Sequence, residues 1–205
     1  EYISLKDFEN NGKKVKNSLQ VDYKENAGAA IMHTGGTSGK SKAVLLTNDN
    51  LNSMVHAQRV TAKNFAEGDV MLTIMPVFHG FGLCSSVHMP LSYGVSVVLW
   101  PKFESKKLKS MYEKNNVNHM FGIPKLFECL IKENVDLTNA GYLVSGGEKI
   151  EQKREQKINN GFLENGSKFN LKKGYGLTEA TAGTTLSDDY SNRLGSIGIP
   201  LVCND

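Results

Sequence analysis

The sequence predicts an α/β protein with a mostly parallel sheet and flanking helices. Two observations support this fold class: short apolar runs recur along the chain, and helical patterns lie between most of them. Parallel strands need a long crossover, which is usually a helix, so this alternation favours parallel pairing. The chain has 205 residues, 40% of them apolar, which is enough for one substantial core.

The elements follow from these patterns in chain order. Apolar runs predict buried strands at residues 29–33, 70–75, 95–100, 119–123 and 142–145. Helical patterns predict helices at residues 48–63, 104–115 and 124–133. Thr47 is suited to cap the first of these helices, and Pro124 suits the first turn of the last. The polar segment 151–172 predicts a surface helix and a linker, whereas residues 1–27 show little pattern beyond turn chemistry.

Residues 34–42, Thr-Gly-Gly-Thr-Ser-Gly-Lys-Ser-Lys, directly follow the first predicted strand. Glycines let backbone N–H groups approach a ligand closely, and successive N–H groups form a nest that binds anions. Hydroxyl and ammonium groups can add to such a nest. The segment therefore predicts a polyphosphate-binding loop at the carboxyl end of a strand, where open α/β sheets bind ligands.

A P-loop is the first alternative for this segment. That motif requires glycine at position 34, where the chain has Thr34, and it runs directly into a helix. Residues 42–46 instead resemble a short β segment. A P-loop NTPase stays as a minority alternative, and a Gly/Ser surface loop would also explain this stretch taken alone.

Four further segments follow the loop in order. Tyr175 offers a flat face for stacking on a base, and Thr178 offers a hydroxyl to a phosphate oxygen. Glu179 is a hard oxygen ligand of the kind that Mg²⁺ takes, although a Thr-Glu pair also suits a helix cap. His79 by itself would fit a satisfied core or surface histidine equally well. The segments are Met75-Pro76-Val77-Phe78-His79-Gly80-Phe81-Gly82, Leu143-Val144-Ser145-Gly146-Gly147-Glu148, Gly174-Tyr175-Gly176-Leu177-Thr178-Glu179 and Gly195-Ser196-Ile197-Gly198-Ile199-Pro200.

Together the five segments resemble the acyl-adenylate-forming (AMP-binding) enzyme superfamily, and within it the bacterial fatty-acyl-CoA synthetases. The loop departs from the usual pattern at Ser41 and Ala43, where the superfamily usually has proline and glycine. The resemblance implies that residues 1–205 are a partial N-terminal AMP-binding domain, the central part of the large domain. Residues 1–27 would be a polar lead-in and 28–205 the ATP- and carboxylate-binding core, with the small C-terminal domain absent from this chain.

The resemblance implies ATP-dependent activation of a carboxylic acid to acyl-AMP with release of pyrophosphate. Transfer of the acyl group to coenzyme A would follow, so ATP, Mg²⁺, coenzyme A and a small carboxylic acid are the expected ligands. His79 stands where amino-acid-activating relatives commonly place aspartate, which favours an acid without an α-amine, most simply a fatty acid. The alternatives are an aryl-CoA synthetase, an acyl-carrier-protein ligase or, from other classes, the P-loop-like NTPase and a non-catalytic nucleotide-binding module. The chain alone is expected to bind nucleotide weakly and to turn over poorly.

The resemblance also implies roles for residues that match its segments. Thr178, Glu179 and His79 are the expected catalytic residues, with Glu179 as the magnesium ligand. The expected nucleotide-binding residues are Thr34, Gly35, Gly36, Thr37, Ser38, Gly39, Lys40, Lys42, Gly146, Gly147, Glu148, Gly174, Tyr175 and Gly176. The expected acid pocket contains Phe78, His79, Gly122 and Ser145.

The composition narrows the possible partners. The net charge is +3 with dispersed lysines, which gives no reason to expect a nucleic-acid partner. Three separated cysteines, Cys84, Cys129 and Cys203, favour reduced thiols in a cytoplasmic protein, and the histidines lack metal-ligand spacing. No stretch of sequence is long and apolar enough to predict a membrane span, and the sequence does not indicate an oligomeric state.

Overall fold

The computed structural model describes residues 4–15, 22–34, 41–61, 63 and 65–202. The strands in these ranges are β1 (Gly28–Thr34), β2 (Lys42–Thr47), β3 (Val70–Thr73), β4 (Ser96–Leu99), β5 (His119–Gly122), β6 (Leu143–Ser145), β7 (Lys172–Leu177), β8 (Ala182–Leu186) and β9 (Ile199–Pro200). The α-helices are α1 (Leu5–Gly12), α2 (Asn48–Thr61), α3 (Met89–Ser92), α4 (Leu108–Lys114), α5 (Pro124–Lys132) and α6 (Gln152–Glu164). A π-helix spans Phe81–His88, and short 3₁₀ helices span Ser105–Lys107 and Thr178–Ala180.

The main sheet has seven strands in the order β4-β3-β5-β6-β7-β8-β9. The pairs from β4 to β7 are parallel, whereas β8 pairs antiparallel with β7, and β9 antiparallel with β8. This confirms the predicted α/β fold with a mostly parallel sheet and flanking helices. Four of its strands, β3 to β6, lie within two residues of predicted apolar runs, whereas no strand was predicted at β7.

The two faces of this sheet are covered by different helices. Successive residues of a strand point to opposite faces, so Met71 and Leu72 of β3 enter different apolar clusters. One cluster includes Phe127 of α5 and Phe162 of α6, and we call this side the closed face. The other includes Met54 of α2 with residues of the π-helix and α3, and we call it the cleft face.

The winding of the sheet reverses between β3 and β5. From β3 the chain crosses to β4 on one side, and it then returns to place β5 on the other side of β3. Connections between parallel strands are right-handed, so connections that run in opposite directions along the sheet pass over opposite faces of it. The carboxyl ends of β3 and β5 bound the crevice that such a reversal creates.

One prediction about the first strand is wrong. The run was predicted to be a buried strand of the parallel sheet, followed by a crossover. Instead, β1 pairs antiparallel with β2 in a separate two-stranded sheet, and the segment between them connects these two strands. The apolar run resembled a buried parallel strand, yet its burial alternates: Met32 is 4% exposed, whereas Ile31 is 66% exposed opposite Leu45. The β segment predicted after the loop is confirmed as β2, which also separates this loop from a P-loop that enters a helix.

Helix α2 begins where its capping signal predicts. The Asn50 N–H donates to Thr47 Oγ1 at 3.1 Å, and the Thr47 N–H donates to Asn50 Oδ1 at 2.9 Å. Each side chain thus satisfies a backbone donor of the other residue, which fixes the start of the helix. The pattern did not predict α1, the π-helix or the antiparallel pairing of β7 to β9. In the described ranges, no helix combines the length and apolar character needed to cross a bilayer.

Candidate functional site

A cleft with a cavity volume of about 260 Å³, open to solvent, lies on the cleft face at the carboxyl edge of the sheet. Its walls come from the segments that follow β3 and β6, from the ends of β5 and β7, and from β8 across from β7. This is the crevice beside the reversal of winding. Of the predicted site residues, Thr34, His79, Gly146 and Gly147 line it, together with Gly174, Tyr175, Gly176 and Thr178 of the β7 segment.

Other predicted residues lie outside the set that lines the cleft in the described part of the chain: Lys42, Phe78, Gly122, Ser145, Glu148 and Glu179. Phe78 is 77% exposed, and Ser145 is buried within β6. A Cβ atom on Gly122 would lie 2.6 Å from Leu126 Cδ1, so Gly122 packs against α5 on the closed face. The carboxylate of Glu148 is 3.5 Å from the guanidinium of Arg154. Gly35, Gly36, Thr37, Ser38, Gly39 and Lys40 lie outside the described residues.

His79 is held by its own turn at the rim of the cleft. The His79 N–H donates to the Pro76 carbonyl at 3.1 Å, and His79 Nδ1 accepts from the Phe81 N–H at the same distance. Because Nδ1 is an acceptor, the neutral imidazole carries its proton on Nε2. That assignment makes Nε2 a hydrogen-bond donor at the rim of the cleft.

The wall formed by β7 depends on a close approach of β8. A Cβ atom on Gly176 would lie 1.3 Å from the Ala182 carbonyl oxygen, so only glycine allows the two strands to meet there. The pairing shifts register between Tyr175 and Gly176. Thr185 Oγ1 accepts from the Tyr175 N–H at 3.2 Å, which holds the backbone while the Tyr175 side chain remains 50% exposed. The tyrosine ring is therefore available to a ligand rather than committed to packing.

Unusual backbone conformations lie at the same edge. Gly147 has φ +79°, which lets the chain turn sharply after β6. Thr181 and Ala182 also have positive φ angles, +57° and +81°, although both carry side chains. Such conformations cost of order 1–3 kcal/mol each and concentrate at functional sites. Ala182 lines the cleft, so this strain is located at the site itself.

Two buried lysines of β7 support this wall from behind. Lys173 and Glu155 of α6 form an ion pair in which both side chains are less than 5% exposed. Lys173 Nζ also donates to the Arg193 carbonyl at 2.9 Å, and Glu155 accepts from the Gly195 N–H at 3.0 Å. Lys172 pairs with Asp189 and lies over the Tyr142 ring, 5.1 Å from its centroid. These contacts fasten the segment after β8 to β7 and α6, and no motif predicted them.

The inner part of the cleft contains residues that were not among the predicted site residues. Phe65, Phe81 and Phe121 line it, with ring centroids 6.1 Å apart for Phe81 and Phe121 and 6.2 Å apart for Phe65 and Phe121. Gln58 of α2 also lines it and is only 7% exposed. The sequence did contain a signal for Gln58. It lies four residues after Met54 on α2, so this polar residue shares a helix face with a buried apolar one.

Among the residues that the structure describes, no group of three or more His, Cys, Asp or Glu side chains is placed to hold a metal ion. Mg²⁺ commonly takes one or two protein carboxylates and completes its shell with substrate phosphates and water. Glu179, exposed in the 3₁₀ helix that follows β7, is a single carboxylate of this type. The donor set thus fits a magnesium ion that arrives with a polyphosphate.

The sequence matches the family described as AMP-binding enzyme over residues 3–205. The chain belongs to the AMP-binding enzyme family. This confirms the superfamily predicted from the five sequence segments, and it explains why the cleft collects four of them. The fifth, residues 195–200, lies in the segment that the buried lysines fasten.

Similar AMP-binding proteins include CoA ligases of plants and bacteria. The 4-coumarate-CoA ligase 1 of Narcissus pseudonarcissus is 31% identical over 173 residues, which cover 78% of this chain and 30% of the relative. The long-chain-fatty-acid–CoA ligase of Bacillus subtilis is 28% identical over 183 residues, covering 86% of this chain and 32% of the relative. The chain thus spans about a third of the length of the curated relatives it matches.

A solved structure of the N-terminal domain of FACL13 from Mycobacterium tuberculosis superposes with a TM-score of 0.82 at 20% identity. The match covers 96% of this chain and 49% of that one. The O-succinylbenzoate coenzyme A synthetase MenE of Bacillus subtilis, solved with ATP and magnesium, gives a TM-score of 0.77 at 24% identity over 93% of this chain and 39% of that one. These likenesses show the fold of the AMP-binding family.

Proposed function

We propose that the enzyme to which this chain belongs activates a carboxylic acid with ATP and transfers the acyl group to coenzyme A. The observation that carries the proposal is that one cleft, at the reversal of sheet winding, gathers residues from four of the five predicted segments. Thr34, His79, Gly147 and Tyr175 reach it from separate elements. A concave pocket that collects candidate residues from several elements is the first place to look for a shared binding site.

The outer part of the cleft is suited to the nucleotide. Tyr175 presents a half-exposed ring on which adenine can stack, and the backbone of Gly147 would border the base. Thr178 lines the cleft and would donate its hydroxyl to the α-phosphate. The triphosphate would be bound by the loop of residues 35–40 with Lys42, and the bound Mg²⁺ would neutralise phosphate charge, with Glu179 as its protein ligand.

The inner part is suited to the acid. Its apolar rings would contact the acyl group, and the Nε2–H of His79 would hydrogen-bond the carboxylate at the rim. In the first step a carboxylate oxygen forms a bond to the α-phosphorus as the bond to pyrophosphate breaks. In the second step the sulfur of coenzyme A bonds to the acyl carbon as AMP leaves. The side chains position the reactants and offset charge, with no covalent intermediate on the protein.

A fatty acid remains the first candidate, on the basis of the His79 segment and of the relative from Bacillus subtilis. An aromatic acid is the second candidate, because three phenylalanine rings line the inner cleft and because 4-coumarate–CoA ligases are among the similar proteins at 30–31% identity. These relatives favour coenzyme A over a carrier protein as the acyl acceptor. We also propose that the chain is a part of the N-terminal domain, with residues 28–205 as its binding core.

The test is ATP–pyrophosphate exchange by the full-length enzyme with a series of alkyl and aromatic acids. We expect exchange that depends on both acid and magnesium. Glu179→Gln should reduce it on the order of a hundredfold, since a metal ion contributes several kcal/mol of charge stabilisation. Glu164→Gln, an exposed change on α6, serves as the control and should leave exchange unchanged. Release of orthophosphate without exchange would instead support the NTPase alternative, and exchange at the wild-type rate in Glu179→Gln would remove the magnesium role.

A further inference from the structure

We infer that Gln58 determines which acid is accepted, by hydrogen-bonding a neutral polar group, a hydroxyl or an oxo group, on the acyl part of the substrate. The inference rests on the proposed function and refines its acid. Gln58 is 93% buried, as its 7% exposure shows, and it lines the cleft. In the ranges that the structure describes, its side-chain amide has no hydrogen-bond partner.

Packing does not account for a glutamine at this position. Met54 and Ala57, its neighbours on the same stripe of α2, are buried in the apolar cluster of the cleft face. A methionine would fill the same volume without two N–H donors and a carbonyl to satisfy. In the described part of the chain, neither polar atom of this amide is among the buried atoms that lack a partner, so the amide is open to the cleft, where a ligand can supply its partner.

The opposite wall leaves room for the amide without binding it. A Cβ atom on Gly183 of β8 would lie 2.7 Å from Gln58 Nε2, which is closer than van der Waals contact allows. Glycine at this position therefore admits the amide, and any larger residue would displace it. Leu201 Cδ1 lies 3.6 Å from the same Cβ position, so an apolar atom borders the space beside the amide. Gly183 thus leaves room for the amide in the wall of the cleft, where its polar atoms can meet a ligand.

The surroundings define the group that the amide would bind. Phe65, Phe81 and Phe121 line the same cleft, so the apolar part of the substrate would lie beside Gln58. The amide is uncharged and both donates and accepts, which matches a hydroxyl or carbonyl oxygen better than an ion. A site with a buried hydrogen-bonding group discriminates strongly against an analogue that lacks the matching group, because the protein group then stays unpaired. A plain alkyl acid would leave the Gln58 amide in that state.

The experiment compares acids that share a carbon skeleton and differ by one polar group, with pyrophosphate release as the readout. Dodecanoate is compared with hydroxy- and oxododecanoates, and cinnamate with its ring-hydroxylated forms, in the full-length enzyme. We expect kcat/KM for the best polar member to exceed that of its plain counterpart by about tenfold or more. In Gln58→Met this ratio should fall to about one, because the polar member then loses its partner. Gln156→Met, which alters an exposed glutamine on α6, should keep the wild-type ratio.

Gly183→Ala provides a second variant, since it displaces the amide and leaves Gln58 itself intact. The ratio of kcat/KM for the polar acid to that for its plain counterpart should fall in this variant as well. A cooperative unfolding transition checks that the variant is folded. An unchanged ratio in Gln58→Met would overturn the inference. So would an equal loss with every acid, which would mean that the amide serves the carboxylate that all of them share. Absence of pyrophosphate release with any acid would overturn the proposed function itself, and the inference with it.

Discussion

The two faces of one sheet differ in how completely they are packed. On the closed face, Phe127 and Leu130 of α5 and Ile158 and Phe162 of α6 are at most 1% exposed. On the cleft face, Phe65 and other aromatic residues border an open cavity of about 260 Å³, and Gln58 lacks a partner in the described part of the chain. The same strands contribute to both faces. The difference teaches that one face is packed throughout, whereas the other combines a buried cluster, with Met71 and Met89 at 0% exposure, and an open binding cleft.

The largest test of this comparison is truncation of one phenylalanine on each face. Phe127→Ala should lower the free energy of unfolding by about 3–5 kcal/mol, because it removes a fully buried ring and leaves a cavity. Phe65→Ala should cost less than half of that, since its ring already borders open space. Urea unfolding of the two variants measures both values. Equal losses would mean that the cleft face is packed as tightly as the closed face.

The buried ion pair that links β7 to the closed face is the next test. Lys173→Met leaves the Glu155 carboxylate buried without its cation, and we expect a loss of about 3–5 kcal/mol in the free energy of unfolding. The double variant Lys173→Met with Glu155→Met removes both charges and should be clearly more stable than the single variant. Denaturant unfolding gives this order. A double variant as unstable as the single one would show that the charges themselves are required.

A histidine beneath the cleft should make stability depend on pH. His119 is 1% exposed, with Nε2 2.9 Å from Asp69 and Nδ1 accepting from the Tyr142 N–H at 2.9 Å. Burial lowers the pKa of His119, and this outweighs the hydrogen bond and charge of Asp69, which raise the pKa. The unfolded chain therefore binds a proton at a pH where the folded protein does not.

The free energy of unfolding should consequently fall as the pH drops below about 6.5, the pKa of an unperturbed histidine, until the folded state also binds the proton. One proton gives a slope of at most about 1.4 kcal/mol per pH unit. Unfolding measured over a pH series should show a shallower slope in His119→Gln. His56→Gln, a change at an exposed histidine of α2, is the control. A slope identical to the wild type in His119→Gln would assign the dependence to other groups.

The smallest expected effect concerns the cap of α2, the helix that places Gln58 in the cleft. Thr47→Ala removes the acceptor of the Asn50 N–H and should cost about 1 kcal/mol of unfolding free energy. Ser53→Ala, on an exposed position within the same helix, should be neutral or slightly stabilising, since alanine favours helix. Thermal unfolding distinguishes the two. A cap variant as stable as the Ser53 variant would contradict the role of Thr47.

Prediction from the sequence succeeded where the signal was local. The runs that became β3, β5 and β6 are short and almost wholly apolar, as strands buried on both faces must be. The cap at Thr47 and the proline at the start of α5 depend on a few consecutive residues. The run that became β1 misled, because an apolar sequence does not reveal that one of its faces is exposed.

The sequence by itself determined the AMP-binding family, the mostly parallel α/β fold and the segments that supply the cleft, because each depends on residues close together in the chain. Only the tertiary structure decided that β1 pairs with β2 alone and that β8 returns antiparallel to β7. It also decided that Gln58 faces the inner cleft across from Gly183. Contacts of this kind join residues far apart in sequence, and they follow from how the layers pack rather than from any local pattern.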